Sequence, residues 1–281
     1  MRNVNTPTLL TAALTVALGS LAPTPARGQQ APALPLWEVG AVAAGISQQA
    51  YPGASQQVDR ALLLPYFVYR GKFLRADQNT VGLRALKTDT MELDVGFGGA
   101  FGARSQDIEA RKGMPDLGTL VEFGPRVKWN LGAAPGQGRW RAEVALRGVF
   151  DVSDSFRDKG LALEPELTFE RRTASGWAYS STVGLVFGDE RLADTFYSVA
   201  PEYATARRAA YRARSGLIAT RLSASISRAL SPDMRVFGYA RVASVEGAAN
   251  GDSPLVRQNT GTTLGLGLTY TLARSRTMSA D

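Results

Sequence analysis

Residues 160–173 read Gly-Leu-Ala-Leu-Glu-Pro-Glu-Leu-Thr-Phe-Glu-Arg-Arg-Thr. In an extended chain, successive side chains point to opposite faces. Leu161, Leu163, Pro165, Leu167 and Phe169 therefore share one face. Ala162, Glu164, Glu166, Thr168 and Glu170 share the other. A soluble sheet shows one or two such strands. Here the alternation recurs from about residue 37 to residue 272, in segments long enough to cross a bilayer. Apolar residues facing lipid and charges facing a lumen are the pattern of a transmembrane β-barrel.

The same reading places strands at about 36–48, 62–69, 72–76, 80–86, 91–101, 121–131, 139–151, 160–170, 177–187, 218–226, 235–245 and 263–272. Phe123, Trp140, Leu146, Phe169 and Leu185 fall on the lipid face, as do Ile218, Leu222 and Ile226. Thr182 falls on the lumen face. One set of connections is short: 70–71, 87–89, 131–138, 174–176 and 231–232. The other set is long apart from 77–79: 49–61, 104–117, 152–159, 190–214 and 246–261. Short periplasmic turns and long outer loops are the bacterial outer-membrane arrangement. The expected fold is all-β, an antiparallel up-and-down transmembrane β-barrel of about 12 strands, or 10 if the short pair around Asp77 does not span. A soluble β-sandwich would also alternate. Its exposed face would be charged more evenly, and its core would not bring Trp and Tyr to strand ends.

Composition agrees. The chain has 281 residues, 44% of them hydrophobic, and its mean hydropathy is slightly negative. Helical spans, each needing roughly 20 consecutive apolar residues, do not fit that. Residues 1–28 read as a signal peptide: Arg2, an apolar run from Thr8 to Ala22, and small residues around Ala26 and Gly28. Residues 29–35 form a periplasmic spacer, 36–272 the barrel and 273–281 a C-terminal tail. The expected location is the outer membrane of a Gram-negative bacterium.

There is no Cys and no His. That removes disulfides, thiolate metal sites, the commonest general base and the Ser-His-Asp arrangement. The formal charge of +7 comes from 32 basic and 25 acidic residues mixed along the strands. No basic stripe for nucleic acid appears. Outer-membrane lipid and lipopolysaccharide are the expected surroundings. No metal, cofactor or enzymatic activity is expected.

Pairs such as Glu164 and Glu166 lie on one strand face at about 7 Å. That spacing could suit acid–base work. The alternative is a polar lumen whose charges pair across strands. The candidate lumen charges are Glu122, Arg126, Lys128, Arg141, Glu143, Arg147, Glu164 and Glu166. The candidate partner-contact loop carries Arg111, Lys112, Met114 and Asp116, either as a binding loop or as a turn where Gly113 supplies unusual φ and Asp116 caps. The arginines of 207–214 read as a solvated loop or as contacts to lipopolysaccharide phosphates. The open function classes are a scaffold, a small pore or a surface binding protein.

Several blocks are familiar as well. Leu36-Trp37-Glu38-Val39-Gly40 opens the domain, and Tyr51-Pro52-Gly53 follows. Then come Pro65-Tyr66-Phe67-Val68-Tyr69-Arg70-Gly71, Arg111-Lys112-Gly113-Met114-Pro115-Asp116-Leu117 and Ser253-Pro254-Leu255-Val256. Over residues 36–272 the chain resembles the MipA/OmpV family. The resemblance implies an outer-membrane barrel. For the best-known member it implies a scaffold joining a lytic transglycosylase to a peptidoglycan synthase. Outer-membrane chains usually close on a terminal aromatic residue; here Leu272 takes that place after Tyr270.

Overall fold

The computed structural model describes residues 34–70, 74–76, 81–88 and 90–279. The expected signal peptide and parts of the turns at 70–71, 77–79 and 87–89 lie outside the described residues. Ten long strands run as β1 (Trp37–Gln49), β2 (Gln57–Arg70), β5 (Met91–Ala100), β6 (Leu120–Ala134), β7 (Gly138–Asp151), β8 (Arg157–Arg172), β9 (Trp177–Gly188), β10 (Gly216–Ala229), β11 (Met234–Ser244) and β12 (Thr260–Arg274). A short pair, β3 (Leu74–Ala76) and β4 (Val81–Lys87), sits between β2 and β5. Every strand pairs with its neighbour in sequence, and β1 pairs with β12 to close the barrel. Closure leaves no free edge, which is what lets a sheet cross lipid. β3 meets β2 only at the end of β2, Tyr69 facing Ala76 and Arg70 facing Arg75, and pairs with β4 along its three residues. Ten strands are of full length and β3 has only three residues, so the ten-strand alternative is the one that fits.

The burial pattern is inside out. Along β8, Leu161, Leu163 and Leu167 are exposed, whereas Ala162, Glu164, Thr168 and Glu170 are buried. Glu164 is only 4% exposed and its neighbour Leu163 is 41%. The same holds on β12, where Leu264 and Leu266 face out and Thr269 is buried. In water, leaving this much apolar surface uncovered is unfavourable; in lipid it costs nothing. The exposed leucines form the band that faces the bilayer.

Aromatic residues mark the rims. Trp37, Trp129, Trp140 and Trp177 all stand at the strand ends beside the short turns. Trp and Tyr favour the headgroup level, where a ring meets apolar and wet surroundings together. Trp140 meets Phe169 edge-on at 5.4 Å, and Arg228 lies 5.3 Å over the Trp177 ring. Higher on the wall, Phe123 stacks on Phe150 at 5.0 Å.

Three expectations need correction. β2 starts at Gln57 rather than Leu62. Gln57, Asp59, Arg60 and Ala61 are exposed and do not alternate, because this end of the strand rises past the apolar band into water. The stretch 190–214 is not all loop, since Glu190–Tyr197 forms helix α1. Asp189 caps it by accepting the Leu192 N–H at 2.9 Å. Ile218 does not face lipid. The β9–β10 register shifts between Leu217 and Ala219, and a bulge of this kind turns the following side chains to the other face. Ile218 is buried among Leu192, Val186 and Val245.

Candidate functional site

The lumen is built by strand parity. Asp94 on β5 stands opposite Arg126 on β6, and Glu92 stands opposite Lys128. Lys128 in turn faces Glu143 on β7, and Glu143 faces Glu166 on β8. Asp94 is fully buried and takes a two-pronged contact from Arg126, at 2.9 and 3.0 Å, plus the Lys128 ammonium at 2.6 Å. Arg126 and Arg141 also approach Glu143, at 3.9 and 3.7 Å, and Arg141 pairs with Glu170.

A second group lies beside it. Arg147 bonds Glu164 and comes within 3.5 Å of Glu122. Arg221 on β10 reaches Glu164 at 3.2 Å. Glu164 thus joins β7, β8 and β10. Opposite charges across neighbouring strands stabilise a sheet, and in a confined lumen the pairing offsets desolvation. All eight candidate lumen charges point inward. Asp94, Glu170, Arg221 and Arg241 also belong there. Their parity along β5, β8, β10 and β11 is the sequence signal that would have included them.

The outer mouth is covered by the long connections, which pack into a cap with its own apolar core. Tyr51, Ile108, Met114, Leu117, Val199 and Leu255 are buried together. Beneath them Leu192, Ala193 and Tyr197 of α1 pack onto the tops of β6 to β10. The Tyr51 hydroxyl donates to the Leu255 carbonyl at 2.6 Å, and Ser253 donates to the Tyr197 carbonyl at 2.7 Å. Burial pushes the Tyr51 phenol up to about 12, against the pull of Arg111. Burial likewise raises Tyr197.

The expected contact loop is part of this cap. Arg111 is 4% exposed and lies 5.8 Å over the Tyr51 ring. It donates to Ser105 Oγ and the Pro115 carbonyl, both at 3.3 Å, and burial lowers its basicity. Gly113 has φ +80°, where a side chain would be strained. Asp116 accepts the Ser105 N–H at 2.6 Å. Met114 is buried, while Lys112 is exposed and pairs with Glu109. Arg111, Met114 and Asp116 hold the loop in shape, and of the four Lys112 and Asp116 are the two exposed to solvent. Among 207–214, Arg208 is buried and donates to the Ala110 and Lys112 carbonyls at 3.0 Å. It ties one loop to another.

Below the cap the lumen encloses a cavity of about 320 Å³, with Tyr51, Leu192 and Phe196 in its roof and Glu166, Thr182 and Arg241 in its wall. Among the described residues no group of three or more carboxylates is placed to hold a metal ion.

A family model described as MltA-interacting protein MipA matches residues 39–272. No curated protein sequence matches the chain. Among solved structures, the NanC porin aligns at 9% identity and a TM-score of 0.38, over 83% of this chain and all of that one. An outer-membrane channel from Pseudomonas putida F1 aligns at 8% identity and 0.38, over 89% of this chain and all of that one. OccK7 of Pseudomonas aeruginosa aligns at 8% and 0.29, over 84% of this chain and 98% of that one.

Proposed function

Because this chain belongs to the MltA-interacting protein MipA family, we propose that it is a scaffold barrel of the Gram-negative outer membrane. Its cargo in this reading is a lytic transglycosylase and, through it, a peptidoglycan synthase. Residues 1–28 direct export and are removed. The barrel takes no cofactor and is not an enzyme.

The family description carries this reading, and the lumen supports it. The charges that could line a selective pore are mostly spent on one another. A selective pore tends to show a ring of one sign; here Asp94, Arg126, Lys128 and Glu143 interlock. A filled barrel is a rigid platform whose periplasmic turns are available to partners.

Photo-crosslinkers placed at the exposed turn residues Ser175 and Ser231 test this in living cells. The scaffold reading expects an adduct with a lytic transglycosylase. The absence of any periplasmic adduct overturns it. Stable conductance steps in planar bilayers that vanish in Arg126→Glu would instead support a pore.

A further inference from the structure

Two of the charges lining the lumen cavity make no ion pair among the described residues, although each attracts the other from a distance. Glu166 makes no hydrogen bond or ion pair among the described residues, although its neighbours Glu143 and Glu164 both do. It stands directly across from Glu143, a residue of the same sign. Arg241 donates to Ser223 Oγ at 3.2 Å and lies 5.3 Å over the Tyr239 ring. No carboxylate comes within ion-pair reach of it among the described residues. Both line the same cavity of about 320 Å³.

The arrangement of strands explains why the two do not meet as an ion pair. Glu143 and Glu166 make an acidic patch on β7 and β8. Arg221 and Arg241 make a basic patch on β10 and β11. Between them β9 turns only uncharged residues to the lumen, among them Ser180, Thr182 and Gly184. Glu166 is level with Gly184, and Gly184 with Arg221. A Cβ on Gly184 would come within 2.9 Å of the Glu166 side chain. The missing side chain is the space in which Glu166 lies. Strands sit ~4.8 Å apart, so β8 and β11 are roughly 14 Å apart along the wall. The two heads therefore reach into one cavity from separate patches. A confined charge that makes no direct ion pair is costly unless something in the cavity satisfies it.

We propose that this cavity binds a small zwitterion, its ammonium at Glu166 and its carboxylate at Arg241, with the hydroxyls of Ser180 and Thr182 along the floor between them. The volume lies at the lower end of the roughly 300–1,000 Å³ usual for ligand sites, so the ligand is of amino-acid to dipeptide size. A single cation would leave Arg241 unsatisfied, and a single anion would leave Glu166 unsatisfied. The site is independent of the scaffold reading.

The test uses the full mature barrel folded in detergent micelles, with alanylalanine as the probe, followed by titration calorimetry. N-acetylalanine keeps only the negative charge and alaninamide only the positive one. The expected result is saturable binding of the dipeptide, at least tenfold weaker binding of either blocked compound, and at least tenfold loss in Glu166→Gln and in Arg241→Gln. Should Arg241→Gln fail to fold, Glu166→Gln decides, because it removes a like-charge contact and leaves every ion pair intact. No saturable binding by the wild type overturns the proposal. So does equal binding of a blocked compound, or wild-type affinity in Glu166→Gln.

Discussion

Glu143 on β7 and Glu166 on β8 face one another directly across the lumen wall, yet of the two only Glu143 has cations within ion-pair distance among the described residues, Arg126 and Arg141. Like charges opposite each other oppose strand pairing. One carboxylate row therefore contains a residue that helps the barrel and a residue that does not.

That difference is measurable. Glu164→Gln removes the partner of both Arg147 and Arg221 and is expected to cost about 3–5 kcal/mol, the usual penalty for breaking a confined pair. Glu166→Gln is expected to be neutral or mildly stabilising. Guanidinium unfolding of both variants in lipid vesicles compares them. Equal losses would mean that the pairing within the lumen does not set its stability.

The lipid face should tolerate charge poorly. Val183 is 48% exposed in the middle of β9, and Val183→Arg is expected to cost about 2–4 kcal/mol in vesicles. Thr182→Ser keeps the hydroxyl that meets Thr168 at 2.9 Å and should cost little. Similar costs at both positions would contradict the sidedness.

The cap should weaken in alkali. Tyr51 is 2% exposed, and its phenol is raised to about 12. Below the ordinary tyrosine value of about 10, folded and unfolded forms are both neutral. Between about 10 and 12 the unfolded form ionises first, so the cap loses stability as pH rises, by roughly 2–3 kcal/mol in all. Wild type should lose more than Tyr51→Phe across that window. Phenolate absorbance that differs between the two proteins only near pH 10 would contradict the burial.

The tryptophans report depth. All four stand at the end with the short turns, so lipids brominated near the headgroup should quench their fluorescence more than lipids brominated near the chain end. The reverse order would place this end away from the interface.

Much of the barrel is legible in the sequence, because a period of two needs only local information. Leu161 to Glu170 and Leu264 to Leu272 keep their faces as read. The failures have physical causes. Gln57 to Ala61 escape because a strand leaving the bilayer no longer needs apolar alternation. Ile218 escapes because a single bulge reverses parity. The signals for α1 were the Asp189 cap and the buried Leu192, Ala193 and Tyr197, hidden in a stretch that reads as polar. The cap was beyond reach: Tyr51 meets Leu255, and Arg208 meets Ala110, across long separations that leave no local pattern. Arg111 and Asp116 therefore read as equally fit for a partner or for a turn.

The central claim is that this is an inside-out barrel lying in lipid. The chain has no cysteine of its own, so single nitroxide labels can be placed one at a time from Ala178 to Phe187 on β9, a strand with no lumen charge to disturb. The account predicts collision with oxygen dissolved in lipid at Tyr179, Ser181, Val183, Leu185 and Phe187, and low values at the five alternate positions. A flat profile, or oxygen contact greatest at Ser180, Thr182 and Gly184, would contradict it.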